Sequence, residues 1–400
     1  MIGIGDLAHI MPEVEEAFMA IHRNPELGLL EYDTSQYVAK KLESYGLEVI
    51  RGVARTGVIG VLKGKEPGKT LMLRADMDAL PIREETGLSY ASERGGVMHA
   101  CGHDAHVAML LGTAKYMAQN LPLVKGTIKF LFQPAEEDYG PGAEPLGEEP
   151  GGAYYVVQEG HLADVDACIA IHVNPMLRTG RILIHAKEAM ASTDLFKIQL
   201  SGVGGHGSAP ENAIDPIPAL AEILTALNML LPREFSPFEP AVLSVGTINT
   251  VSSAWNAIPE EIEITGTFRT YDETVREKIN SRIEVIGAKI ADAHRCSCRY
   301  TREKGYFPTV NDPDIVNQIV ENARTYLGEE NVITGIRPFA GGEDAGVYFS
   351  HVPGAMIFLG CSKPEDENPV DLHNPKFTVD LKALAYGVVV HVNNILAFAK

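Results

Sequence analysis

The chain has no run of eighteen apolar residues, so no segment is long and apolar enough to cross a bilayer as a helix. It also lacks a basic excess. Its 34 Lys and Arg stand against 53 Asp and Glu, a formal net charge of -19. Nucleic acid and anionic membrane surfaces both need a basic face, so neither is expected as a partner. Cysteine is scarce and odd in number, with five residues at 101, 168, 296, 298 and 361, unlike the paired framework of a secreted disulfide domain. The N-terminal stretch MIGIGDLAHIMPEVEE has no basic n-region before an apolar core, so no signal peptide is expected. There is no internal repeat, and the one biased stretch, Tyr139–Gly152, reads as a surface loop rich in Gly, Pro and Glu. With these classes set aside, 45% hydrophobic and 22% charged residues describe an ordinary soluble protein, expected in the cytoplasm. Four hundred residues exceed the usual size of one core, so two domains are expected.

The first half alternates helix and strand. Helical periodicity covers 7–23, 34–45 and 107–119, and β-rich runs occupy 58–62, 70–73, 127–132 and 168–173. Strands with polar clusters at their C-terminal ends suggest an open α/β sheet with its site at those ends. Near residue 185 the texture changes. A strand at 195–200 leads into the glycine-rich run Ser201–Gly207, and Asp215-Pro216 then caps a helix through Leu230. Strands at 241–248 and 261–267, a helix capped by Asp272 and a strand near 298–306 complete a β-α-β-β-α-β unit. The expected fold is therefore α/β: residues 1–185 and 299–400 form one discontinuous domain, and 186–298 form a smaller inserted one.

Chemistry concentrates in two short stretches, Met98-His99-Ala100-Cys101-Gly102-His103-Asp104 and Pro134-Ala135-Glu136-Glu137. Cys101 and His103 are two apart, so in an extended segment they project to one side, and Gly102 permits close backbone approach to an ion. A thiolate, an imidazole and adjacent carboxylates are the materials of a catalytic zinc-type site. The same residues also fit a buried free cysteine beside an ordinary histidine, or a thiol nucleophile with His103 and Asp104. Glu136-Glu137 fits an exposed acidic loop as well as a site offset by cations. His172, after the strand run at 167–171, and His373, in Leu372-His373-Asn374-Pro375, occupy comparable strand-end or turn positions.

Eight motifs in order span essentially the whole chain: HRNPELG at 22–28, LRADMDALP at 73–81, MHACGHDAH at 98–106, FQPAEE at 132–137, IHV at 171–173, GGHGSAP at 204–210, NAIPE at 256–260 and LHNPKF at 372–377. In these the chain resembles the dinuclear metal amidohydrolase family of aminoacylases and glutamate carboxypeptidases, and within it the branch of hippurate hydrolases and auxin–amino-acid conjugate hydrolases. The resemblance implies a catalytic domain with a mixed sheet flanked by helices, and a ferredoxin-like α+β lid through which a homodimer forms. It implies two divalent metal ions, with Cys101 bridging them and His103, Glu137, His172 and His373 completing the ligand set. Glu136 is then the unligated general base and His206 a donor to the oxyanion, reaching into the partner subunit's site. Arg269 would receive the substrate carboxylate, accompanied by Asn256, and Asp78 and Asp104 would orient imidazoles. Mixed S, N and O ligands suit Zn²⁺, with Mn²⁺, Co²⁺ and Ni²⁺ also compatible. The run Gly341–Gly346 departs from the family in carrying Ala345 in place of a Phe, and the loop 139–152 is longer than the branch usually has. His161 does not match the family's ligand pattern.

The activity implied is metal-dependent hydrolysis of an N-acyl-L-amino acid, hippurate-like or N-acetylated, to a carboxylate and a free amino acid. The alternative is a dipeptidase or aminopeptidase on the same scaffold. An aminopeptidase needs an acidic group for the substrate ammonium, whereas Arg269 suits a carboxylate.

Overall fold

The structure, a computed structural model, describes residues 1–137, 139–250 and 254–398. The chain divides into two compact units, one of residues 1–189, 310–338 and 344–400, the other of 190–309 and 339–343.

The first unit is built on an eight-stranded mixed sheet. Its strands run, in spatial order, Glu48–Val53, Gly57–Lys63, Lys125–Gln133, Glu66–Asp76, Ala167–Arg178, Gly354–Ser362, Ile182–Leu183 and Val332–Ile333. The four central strands, from Lys125–Gln133 to Gly354–Ser362, are parallel to one another, and the outer two of them run antiparallel to Gly57–Lys63 and Ile182–Leu183. Gly354–Ser362 is buried at every position and Gly57–Lys63 at all but its last. Continuous apolar runs of this kind belong to strands covered on both faces. Helix His103–Gln119 is buried along most of its length and packs on helices Met11–Arg23 and Lys382–Phe398. Pro12 marks the restart of the first helix. A short 3₁₀ turn, Ile4–Leu7, precedes it where one continuous helix from Leu7 was expected. None of the described helices is long and apolar enough to cross a membrane.

The second unit has the expected β-α-β-β-α-β order. Its strands Ala241–Thr250, Glu261–Thr270, Asp194–Ser201 and Ser297–Lys304 lie side by side in that spatial order, all antiparallel. Strand burial alternates, so one face carries Phe196, Ile198, Leu200, Ile262, Ile264 and Phe268 into a core shared with helices Pro216–Glu234 and Glu273–Ala293. Asp215 and Asp272 cap these helices as expected, each accepting backbone N–H bonds from the first turn. The boundary expected at 298/299 is corrected to 309, because Ser297–Lys304 pairs along its length with Asp194–Ser201 and is an edge strand of this sheet.

Asp194 is the buried polar anchor of this unit. It is 3% exposed and accepts from Arg276 Nε at 2.6 Å and Nη2 at 3.2 Å, and from Arg302 Nε at 2.7 Å. Arg276 is fully buried. Removing the shared carboxylate leaves the buried Arg276 guanidinium with the partly exposed Glu273, 3.1 Å from Nη1, as its remaining carboxylate partner. Asp194→Ala is therefore expected to destabilise the second unit by about 3–5 kcal/mol in urea denaturation; a loss below about 1 kcal/mol would contradict this reading.

Candidate functional site

Three neighbouring parallel strands deliver the site. Glu66–Asp76 ends at Asp76, with Asp78 two residues on. Lys125–Gln133 leads into Pro134-Ala135-Glu136-Glu137, and Ala167–Arg178 carries His172. Parallel strands put their C-terminal ends on one edge, where loops gather polar groups. Helix His103–Gln119 begins at the same place. The expectation that Cys101 and His103 lie on an extended segment is corrected: Gly102 is the N-cap, at φ 83, and His103 is the first helical residue. A left-handed turn, not strand alternation, brings the two side chains to one side. The glycine makes room for protein rather than for an ion, since a Cβ there would stand 2.5 Å from Val173 Cγ2. His172 also sits within its strand rather than after it, because pairing with Gly354–Ser362 continues past it.

Ligand-type atoms of Cys101, His103 and His172 lie within 4.8 Å of one another, as do those of Cys101, Glu137 and His373, and those of His103, Glu136 and Glu137. All six residues singled out in the first unit as ligands or base are thus brought together, with Cys101 common to two of the groups. Cys101 Sγ is 3.4 Å from His172 Nε2, and His373 Nε2 is 2.9 Å from Glu137 Oε1. His172 Nδ1 donates to the Val173 carbonyl at 2.7 Å, which leaves the Nε2 lone pair facing the thiol. His103 Nδ1 donates to the Asp78 carbonyl at 2.9 Å, with Asp78 Oδ1 at 3.3 Å. Asp78 also accepts the Glu137 N–H at 2.9 Å. Asp78 therefore meets the His103 ring through its backbone carbonyl. Asp104 does not orient a candidate ligand: its carboxylate binds His22 Nδ1 at 2.6 Å and the Ala105 N–H.

The electrostatics call for a cation. Among the described residues His103 Nε2 is buried without a hydrogen-bond partner, 3.6 Å from Asp76 Oδ2 and 3.9 Å from Glu136 Oε2. Against the opposing effect of burial, Asp76, Asp78 and Glu137 raise the His103 imidazole to about 10. Burial first, then Glu137 and Glu136, push the Cys101 thiol well above its usual range. The bond to Glu137 raises His373. Nitrogen lone pairs and carboxylates turned towards one another conflict unless a proton or a metal ion lies between them. The donor set of one thiol, three imidazoles and carboxylates fits a divalent transition metal.

Sequence reasoning passed over Asp76, His106 and Arg74. His106 Nδ1 bonds Asp76 Oδ1 and its Nε2 accepts the Val173 N–H at 2.9 Å, so both ring nitrogens are engaged and neither is offered to a metal. Arg74, 1% exposed, donates to Asp76 at 2.7 Å, Asp344 at 2.8 Å and Gln133 at 2.8 Å. Against burial, Arg74 and then His103 and His106 hold Asp76 well below the usual carboxylate range. The signals available were the i, i+3 spacing of His103 and His106 on one helix face and the alternation of Arg74, Asp76 and Asp78. His161 pairs with Glu159 instead. The loop from Tyr139 is tied down by Tyr139 Oη to Glu149 O at 2.8 Å and Arg55 to Glu144 O at 2.6 Å. Ala345 is fully buried at the start of helix Ala345–Phe349, which the sequence did not announce.

In the second unit, Gly205-His206 pairs with Ala257-Ile258, and the Asn256 carbonyl accepts the Gly207 N–H at 2.9 Å, so His206 and Asn256 are neighbours. Both are exposed. His206 Nδ1 accepts the Ser208 N–H at 3.1 Å, which puts the neutral ring's proton on Nε2. Arg269 lies at the far end of Glu261–Thr270, opposite Val242. From Glu261 to Arg269 the strand advances roughly 26 Å at ~3.3 Å per residue, and Asn256 precedes the Glu261 end in the chain.

A family model described as "Peptidase family M20/M25/M40" matches residues 72–397. The N-acyl-L-amino acid amidohydrolase of Geobacillus stearothermophilus is 41% identical over 76% of this chain and 81% of its own length. Thermostable carboxypeptidase 2 of Saccharolobus solfataricus is 37% identical over 95% of this chain and 93% of its own. The crystal structure of the Bacillus subtilis YXEP protein, described as a dinuclear metal binding peptidase from the M20 family, superposes with a TM-score of 0.81 at 30% identity, covering 97% of this chain and 98% of that one.

The raised His103 and Cys101 groups both hold protons at neutral pH in metal-free protein, and a metal must displace them. Metal uptake is thus expected to release protons, with affinity weakening as pH falls from about 8 to about 6. Calorimetric titration in buffers of different ionisation enthalpy checks this; pH-independent binding without proton release would contradict it.

Proposed function

The chain belongs to peptidase family M20/M25/M40, and from that premise we propose that it hydrolyses the amide bond of N-acyl-L-amino acids, releasing a carboxylate and a free amino acid. The observation that carries this reading is the placement of Glu136, 5% exposed and 3.9 Å from His103 Nε2, among five thiol, imidazole and carboxylate donors. Cys101, His103, Glu137, His172 and His373 would hold two divalent ions, with Zn²⁺ the first choice and Mn²⁺, Co²⁺ or Ni²⁺ alternatives. When bound, such ions polarise the amide carbonyl and make water acidic enough to be deprotonated near neutral pH.

The remaining steps belong to the chain's own side chains. Glu136 accepts the proton of the attacking water and returns it to the leaving amine nitrogen, so one carboxylate serves as base and then as acid. His206, with its proton on Nε2, donates a hydrogen bond to the developing oxyanion. Arg269 clamps the substrate carboxylate and Asn256 contributes a further hydrogen bond. The length of strand between Glu261, towards the Asn256 side, and Arg269 favours a homodimer, in which the second unit acts as lid and dimerisation domain and His206 and Asn256 serve the partner's site. We read the enzyme as cytoplasmic, within the hippurate-hydrolase-like branch. A C-terminal peptide and an N-acyl amino acid share the free carboxylate next to the scissile amide, so the similarity to a carboxypeptidase agrees with this chemistry.

Glu136→Ala is expected to keep its metal, measured by elemental analysis, and to lose about 10²–10⁴ in kcat; retained turnover would remove Glu136 from the role of base. On substrates, N-acetyl and N-benzoyl amino acids should be hydrolysed and amino-acid amides should not. Activity on the amides alone would favour the aminopeptidase reading instead.

A further inference from the structure

Three buried segments converge on the Pro134-Ala135 turn. Ala135 has φ 50, in the left-handed region that an L-residue enters only when its surroundings hold it there. Both sides of the residue are held. Its N–H donates to Glu31 Oε1 at 2.8 Å, and its carbonyl accepts the Gly152 N–H at 2.8 Å. The close approach of 152 requires glycine, since a Cβ there would meet the Pro134 carbonyl oxygen at 2.0 Å. The second Glu31 oxygen accepts the Thr56 hydroxyl at 2.6 Å, so both carboxylate oxygens are engaged.

Glu31 is fully buried, and no Lys or Arg pairs with it among the described residues. Burial, and then the charge of Asp78, push its carboxyl up to about 8. A buried carboxyl without a cation is a poor stabiliser, and an apolar side chain of the same size would suit the core better. What the carboxyl does accomplish is local: it fixes the peptide that leads into Glu136. On the other side of Glu136, the Glu137 N–H is tied to Asp78 Oδ2 at 2.9 Å and the Glu137 carboxylate to His373. Glu136 thus lies between two anchored peptides, and their orientation sets the direction of its Cα–Cβ bond.

We propose that Glu31 is a positioning residue which, by pinning the left-handed Ala135 peptide, aims the Glu136 carboxylate at the reacting water. The inference rests on the reading of Glu136 as the base. Glu31 does not touch the reacting atoms. With the pin removed, Ala135 relaxes towards negative φ, and Glu136 loses the hydrogen-bond reach that proton transfer needs. Substrate binding, which draws on other residues, is spared. Glu31→Gln preserves the pin, because an amide oxygen accepts from Ala135 N–H while its NH₂ donates to the Thr56 oxygen.

The test measures kcat, KM and metal content on an N-acetyl amino acid for four variants, with circular dichroism to establish folding. Glu31→Met fills the same space without oxygens and is expected to fold, keep its metal, lose at least about tenfold in kcat and hold KM within about twofold. Glu31→Gln should stay within about threefold of the parent. Adding Ala135→Gly to Glu31→Met removes the left-handed penalty and should recover at least about threefold of the lost kcat. Glu136→Ala is the control. If Glu31→Met keeps kcat within about twofold while Glu136→Ala is inactive, the positioning role falls and the base reading stands. Loss of metal in Glu31→Met also overturns the proposal, since the turn would then serve the ligand Glu137. If Glu31→Met fails to fold, Glu31→Gln decides: a kcat loss of about tenfold or more overturns the pin. If Glu136→Ala stays active, the base reading fails and this inference fails with it.

Discussion

One constraint organises the first unit: too much negative charge is buried around a single imidazole. Asp76, Asp78 and Glu136 each place an oxygen within 4 Å of His103, and Glu137 and the Cys101 thiol stand beside it. Like charges at such spacing in a low-dielectric setting are unfavourable by several kcal/mol unless positive charge is supplied. Much of the surrounding architecture makes the arrangement tolerable. Arg74 is buried beneath Asp76 and shared with Asp344, His106 binds the other Asp76 oxygen, and His373 pairs with Glu137. The remaining demand for positive charge is what a divalent ion satisfies, and it is the physical reason that a thiol and three imidazoles belong in the same place.

Backbone geometry carries as much of this arrangement as side-chain chemistry. Gly102, Ala135 and His373 all have positive φ, and all three lie at or beside the clustered residues. Such conformations persist only where neighbours over-determine them. Gly102 starts a helix whose first residue is His103, Ala135 turns the chain into the glutamate pair, and the His373 N–H is held by the Ala100 carbonyl at 2.8 Å. Gly102 and Ala135 therefore redirect the chain just before His103 and Glu136, and His373 is itself one of the clustered residues.

What could be read in advance follows from how local each feature is. Asp215-Pro216 and Asp272 announce their helices because a cap acts within one turn. Cys101, His103, Glu136, Glu137, His172 and His373, which the structure brings together, were legible as a group because their residue types, motif by motif, belong to one chemistry. The αL turn at Gly102 was misread as an extended segment, since a glycine just before an apolar helix is compatible with either. The Arg74–Asp344 and Glu31–Ala135 bonds were invisible because their partners are 270 and 104 residues apart. The boundary at 298/299 cut through a strand already counted in the inserted unit, and pairing with Asp194–Ser201 puts all of Ser297–Lys304 there. Asn256 and Arg269 were legible as polar groups, but the length of strand Glu261–Thr270 that lies between them in the chain was not.

The claim on which the account depends is that this cluster binds metal through Cys101. X-ray absorption spectroscopy of the zinc-loaded protein tests it directly, because Cys101 is the one cysteine among five that stands with imidazoles and carboxylates. The account predicts sulfur in the first coordination shell together with a metal–metal signal, both lost in Cys101→Ser. A shell of nitrogen and oxygen alone in the parent protein, or a sulfur signal unchanged in that variant, would contradict it.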